Sequence, residues 1–341
     1  MTDRQNTKRL NVRTVLSYFF KYGVPLLVSV LLCLFLFRDI DWNEMIATIR
    51  TCHFEFIGIM LIISVFSHIF RAMRWRIQLN ALDIPTPLFP LILSIFGTYA
   101  VNLVLPRLGE IWRTGYIAKR QGAQFSNVFG SMVADRFADM ITVLFLTVVT
   151  FIFAASDLNK YMSENTTLVS ALFKLMTSPW AWGALVLFVA VLWWFVRKKG
   201  NNPVLVKIQG FIKGLWQGFA VVTKMPGKGR WLILTVLIWG CYFLQLFVAF
   251  FAFDFTAEVI HNYGITAVLV TFVLSSIAMG VPANGGIGPW QWAVIFALLI
   301  YGVGKEPATA FANLVLGCNT LLIILLGIFT FVCITISKRT R

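Results

Sequence analysis

Apolar residues in this chain fall in long runs rather than at a period of two or 3.6, and six runs are long enough to cross a bilayer, which takes about 20 residues. They cover residues 15–37, 54–70, 127–155, 179–196, 231–253 and 307–336. Two further apolar stretches are interrupted. Residues 88–105 run into Pro106-Arg107-Leu108-Gly109-Glu110-Ile111-Trp112-Arg113, and residues 264–280 run into Val281-Pro282-Ala283-Asn284-Gly285-Gly286-Ile287-Gly288-Pro289 before a second apolar piece ends at Gly302. Proline and clustered glycine break helices. The pattern therefore predicts an all-α polytopic membrane protein in which two helices are broken.

Composition agrees. The chain has 341 residues, of which 59% are hydrophobic and only 13% charged, against about a quarter charged in soluble domains. Its net charge is +15. The basic residues lie between apolar runs rather than in one patch, so a nucleic-acid partner is not expected. The five cysteines (Cys33, Cys52, Cys241, Cys318 and Cys333) sit mostly inside apolar runs without C-x-x-C spacing; they read as packing residues, with neither a disulfide framework nor a metal site implied. After the basic N-terminus and its apolar run, Leu36-Phe37-Arg38 offers no small-residue cleavage site, so this segment is expected to remain as a span.

Lys and Arg in short loops concentrate on the cytoplasmic side, which discriminates between topologies. If each interrupted stretch crossed the membrane once, the two sides would hold 13 and 15 basic residues, with no bias. If each enters and leaves by the same face, the inside holds 23 and the outside only Arg38, Arg50, Lys160, Lys174 and Lys305, with Arg136 left within a span. The second arrangement puts both termini in the cytoplasm. Charge alone leaves residues 264–302 as either a hairpin or two short spans, and the Pro/Gly-rich centre favours the hairpin. The expected fold is six full spans plus two oppositely oriented re-entrant hairpins, an inverted repeat. It forms a single transmembrane domain over 1–341: a first half over 1–155, the third-to-fourth connection and fourth span over 156–196, a cytoplasmic amphipathic linker over 197–230, and the rest of the second half over 231–341. In such folds broken helices meet near the midplane and build the substrate site.

In both hairpins the returning helix is expected to start with proline at its first position, Pro106 and Pro289. A helix N-terminus aimed into the membrane suits a phosphate or carboxylate, and Gly285, Gly286 and Gly288 would let backbone approach it; close helix packing explains the same residues equally well. Arg107, Glu110 and Arg113 recur every three residues, so they share a helix face and can pair with one another. Intramembrane charges are costly, which marks them as functional. Asp135, Arg136 and Asp139 form a second cluster, read either as an interfacial ion pair or as part of a site. His68 reads as a packed residue. Arg71, Arg74 and Arg76 read as the snorkelling end of the 54–70 span, near enough in sequence to the first hairpin to line its mouth.

These residues carry a resemblance. The set Arg71-x-x-Arg74-Trp75, Asn102-x-x-Leu105-Pro106-Arg107-x-Gly109-Glu110-x-x-Arg113, Asp135-Arg136-x-x-Asp139 and Pro282-x-x-Gly285-Gly286-Ile287-Gly288 resembles the flippase-like transmembrane family, also found as the membrane region of lysylphosphatidylglycerol synthases. The resemblance covers about residues 20–335. It implies a bacterial or archaeal inner-membrane protein that moves, or helps to move, an amphipathic lipid or polyprenyl-linked glycolipid between leaflets. The family usually carries glutamate after the second glycine cluster, where this chain has Gln291; Asp135 stands where glutamate is commoner. No aminoacyl-transferase domain is expected within residues 1–341, so this chain is not expected to synthesise lysylphosphatidylglycerol alone.

The leading expectation is a flippase-like transporter rather than an enzyme. The headgroup of an anionic lipid would be held by Arg107, Arg113, Arg136 and Arg74, with Asn102, Glu110, Asp135 and Asp139 from the first half and Asn284, Gly285, Gly286, Gly288 and Gln291 from the second. No catalytic residue, metal or cofactor is assigned. No G-x-x-x-x-G-K-[ST] loop occurs, so direct ATP drive is not expected. The alternatives are an integral-membrane enzyme acting on a lipid-linked substrate, for which G-x-S-x-G and H-E-x-x-H are both missing, and a non-transporting partner of a lipid-modifying enzyme.

Overall fold

The computed structural model describes residues 42–164, 183, 187, 225–281 and 283–339. The spans expected at 15–37 and 179–196 and most of the amphipathic linker lie outside the described residues. Within them every regular element is a helix: α1 (Trp42–Arg50), α2 (Phe54–Asn80), α3 (Leu88–Val104), α4 (Leu108–Gln121), α5 (Phe125–Glu164), α6 (Lys228–Ala249, extended by a 3-10 turn over Phe250–Ala252), α7 (Asp254–Tyr263), α8 (Ile265–Ala278), a 3-10 turn at Asn284–Gly286, α9 (Pro289–Ile300) and α10 (Lys305–Arg339).

Four of these, α2, α5, α6 and α10, are long and apolar enough to cross a membrane; the bent pair α7 and α8, 112° apart, makes a fifth if it counts as one span. The most apolar windows of α2 and α6 are 39% and 33% buried inside the protein, those of α5 and α10 only 11%. The first two therefore pack against each other as the centre, and the latter pair turns rows such as Ile141, Leu144, Phe145 and Leu321, Leu325, Ile328 outward. Such wide apolar faces suit lipid. The packing is reciprocal: α5 lies against α8, the first arm of the second break, and α10 lies against α3, the first arm of the first. Within each set α3 packs on α4 and α8 on α9, while α4 lies on α5 and α9 on α10.

The 54–70 run continues as helix to Asn80, because Arg71, Arg74 and Gln78 turn inward and are buried instead of ending the span. Arg71 and Arg74 thus do not snorkel as expected; exposed Arg76 alone of the three stands free to do so. Both interrupted stretches are broken helices, as their Pro/Gly content predicts. At the first, Leu105 is extended, Arg107 is left-handed (φ 64°, ψ −2°) and α4 begins only at Leu108. Pro106 therefore lies in the turn and not at the first helical position, since a left-handed Arg107 cannot belong to the helix. At the second break Pro289 does start α9, directly after Gly288 at φ 93°.

Candidate functional site

The buried faces of α2, α4 and α5 bring seven charged side chains together. Arg71 and Arg74 are one turn apart on α2, and Asp135 and Asp139 one turn apart on α5, so two guanidiniums face two carboxylates. Arg74 donates from Nε to Asp135 Oδ1 at 2.9 Å and from Nη2 to Asp139 Oδ1 at 2.8 Å. Arg71 donates from Nη1 to Asp139 Oδ2 at 2.7 Å and to Asp135 Oδ2 at 3.4 Å. All four are buried, Arg74 and Asp135 completely. Each carboxylate is thus shared by both arginines, the arrangement that makes a buried ionic group tolerable.

Helix α6 closes this cluster from the other half of the chain. Tyr242 Oη accepts from Arg71 Nε and Nη2 at 3.3 and 3.2 Å and sits 3.4 Å from Tyr99 Oη of α3. Thr235 Oγ1 accepts from Arg74 Nη1 at 3.3 Å, and the Trp231 ring lies 5.6 Å from the same guanidinium. His68 packs against Tyr99 with ring centroids 4.5 Å apart and the rings tilted by 35°, and, among the described residues, neither ring nitrogen has a hydrogen bond. It is the packed residue the sequence suggests.

The remaining three charges come from α4 and the next residue of α5. Arg136 pairs with Glu110 at 3.3 Å and lies 3.9 Å from Asp139; its side chain, 30% exposed, is the open edge of the cluster. Arg113 is different. Completely buried, it lies 4.6 Å above the Trp75 ring, and its closest carboxylate oxygen, on Asp135, is 3.9 Å away. None of its three nitrogens makes a hydrogen bond among the described residues. Glu110 pairs with neither Arg107 nor Arg113, contrary to the expectation from their spacing: Arg113 turns onto Trp75, and Arg107 reaches the second break.

The helix starts at the two breaks are less free than the sequence suggests. Asn102 Oδ1 accepts from the Gly109 N–H at 2.8 Å, and its Nδ2 donates to Glu110 Oε2 at 3.2 Å, so the last turn of α3 caps the first turn of α4. At the second break Gln291 Oε1 accepts from the Gly288 N–H at 3.0 Å, and Nε2 donates to Asn313 of α10. Gln291 therefore has a capping role that needs no charge. Asn284 Oδ1 is buried without a hydrogen bond.

Of the residues singled out in the sequence, Arg74, Glu110, Arg113, Asp135, Arg136 and Asp139 form one network, with Asn102 attached through Glu110. Asn284, Gly285, Gly286, Gly288 and Gln291 form the second break, and among the described residues no hydrogen bond or ion pair joins these five directly to the network. The two breaks nevertheless touch: Arg107 Nη2 donates to the Gly280 carbonyl at 2.8 Å, and Leu103 fills the space where a Cβ on Gly285 would lie. Sequence reasoning underrated Arg71, quoted Trp75 only as part of a motif, and missed Tyr99, Tyr242 and Thr235. The matching one-turn spacings of Arg71/Arg74 and Asp135/Asp139 were the available signal for the first; nothing local marks Tyr99 or Tyr242.

Residues 24–327 match the family described as the lysylphosphatidylglycerol synthase TM region. No curated protein and no solved structure matches the chain. With four or five helices among the described residues long and apolar enough to span a membrane, and a family match over most of its length, this multi-pass membrane protein of lipid handling belongs to the family of lysylphosphatidylglycerol synthase transmembrane regions.

Proposed function

We propose that the chain is a flippase-like transporter that moves an anionic amphipathic lipid or polyprenyl-linked glycolipid between leaflets of a bacterial or archaeal inner membrane. The observation that carries this reading is the charge balance of the buried cluster. Among the described residues it holds four arginines and three carboxylates, and the cation left without a hydrogen bond is Arg113, buried, with only Asp135 Oδ2 at 3.9 Å and the Trp75 ring beside it. A buried charge is costly unless it is both paired and hydrogen-bonded; a phosphate or carboxylate oxygen of a headgroup supplies the missing acceptor. Arg136, whose side chain is 30% exposed, marks the open edge from which such a headgroup would enter, while the lipid tails stay in the bilayer.

Transport is favoured over an enzyme because Asp135, Asp139 and Glu110 are each tied to a guanidinium and none is free as nucleophile or base. The reciprocal packing of α5 on α8 and α10 on α3 is what an inverted repeat of six spans and two re-entrant hairpins requires, with cytoplasmic termini by the distribution of Lys and Arg. The test is lipid retention. The purified wild type and an Arg113→Gln variant are compared for co-purifying lipids by mass spectrometry. One anionic class should be enriched in the wild type and depleted roughly ten- to a hundredfold in the variant, the effect of losing one hydrogen bond to a charged group worth about 1.5–3 kcal/mol. Equal, bulk-like profiles from two well-folded proteins would refute the headgroup site.

A further inference from the structure

Arg107 stands where the two breaks meet, in a backbone conformation that glycine adopts freely and arginine does not (φ 64°). Its side chain is exposed, yet Nη2 crosses to the other half of the chain and donates to the carbonyl oxygen of Gly280 at 2.8 Å. That carbonyl lies just past the end of α8, where helix carbonyls lack partners and the helix dipole favours a cation. Beside this bond Leu103, from the last turn of α3, lies against Gly285, whose own φ is 60°. The contact between the tips thus includes one hydrogen bond from a guanidinium and one apolar knob.

The bond to Gly280 uses one N–H of the guanidinium and an acceptor without charge. A phosphate or carboxylate adds the opposite charge and engages two N–H groups at once. We propose that Arg107 is a ligand-released latch: it ties the first break to the second through Gly280, and an anionic headgroup arriving at the tips takes over the guanidinium and lets the two breaks separate. Only the release step rests on the transport reading; the closed latch does not. The bond to Gly280 supplies the difference between states that any ligand-driven opening requires, since the headgroup engages the guanidinium fully only once that bond is broken. The latch is distinct from the buried cluster, because Arg107 makes no hydrogen bond or ion pair with its seven charged residues among those described.

The distance between the tips tests this. Spin labels at Val104→Cys and Val281→Cys, both exposed, are placed in a background without other cysteines and read by pulsed dipolar spectroscopy in nanodiscs. In phosphatidylcholine alone the otherwise wild-type protein should give one short, narrow distance. Adding phosphatidylglycerol should raise a longer population severalfold. Arg107→Gly, which suits the left-handed backbone and so leaves the turn intact, should show the longer population in both lipids. Arg107→Lys, still able to donate to a carbonyl, should remain short in phosphatidylcholine. An Arg107→Gly distribution identical to the wild type, or a wild type unmoved by phosphatidylglycerol, would overturn the latch. Because distances are read whether or not lipid crosses the bilayer, this failure is separable from failure of the transport reading, which is decided by the Arg113 variant.

Discussion

Arg113 and Asp135 are 3.9 Å apart and both completely buried, yet they stand in opposite energetic positions. Asp135 accepts from two arginines, so Asp135→Asn strips charge from partners that cannot leave the core. It should destabilise by about 3–5 kcal/mol, read as a lower unfolding midpoint in detergent. Arg136→Gln takes the ion-pair partner from Glu110, whose side chain is only 13% exposed, and should destabilise too, but by less than Asp135→Asn because the Arg136 side chain is 30% exposed. Arg113 has no hydrogen bond to lose, so Arg113→Met should leave the midpoint unchanged or raise it while abolishing lipid retention, the trade-off expected where function keeps a costly group. A midpoint that falls as far for Arg113→Met as for Asp135→Asn would make Arg113 a structural ion instead. Much of this cluster was legible: intramembrane charge is rare enough to mark Glu110, Arg113, Asp135, Arg136 and Asp139. The burial of Arg71 and Arg74 was not, because a basic residue at the end of an apolar run looks the same whether it points to lipid phosphates or to a carboxylate on a helix 61 to 68 residues later.

At the scale of the elements, the first break depends on Gly109 and Asn102. A Cβ on Gly109 would collide with the carbonyl oxygen of Thr98 on α3, so Gly109→Ala should force the arms of the break apart. It should lower the midpoint and broaden the size-exclusion peak more than the loss of a cap would. Asn102→Ala removes the bond to the Gly109 N–H and should cost about 1–2 kcal/mol. If Gly109→Ala were as stable as the wild type, the tight approach of α3 and α4 would be wrong. Both breaks could be read from Pro106 and from the Gly285-Gly286-Ile287-Gly288 run. The exact helix start at the first could not, because it is set by a left-handed arginine, a conformation that residue type argues against. The capping by Asn102 and Gln291 was equally hidden: each side chain reaches across a break whose geometry the sequence does not specify.

For the whole molecule, the runs of apolar residues and the asymmetry of 23 against 5 basic residues predict which loops face which side. His261→Cys, at the exposed end of α7, should react with a membrane-impermeant maleimide in intact cells, whereas Lys119→Cys, an exposed position near the end of α4, should react only after lysis. The reverse pattern would invert the proposed topology. The central claim is that the buried excess of positive charge serves lipid movement, and proteoliposomes test it most directly. A fluorescent anionic lipid in the inner leaflet is followed by its accessibility to an external quencher, with wild type and Arg113→Met reconstituted at equal density. The account predicts protein-dependent exposure of the lipid by the wild type and at least about a tenfold slower rate for Arg113→Met, as loss of one charged hydrogen bond implies. Equal rates for the two proteins, or none above empty liposomes for the wild type across anionic headgroups, would contradict it.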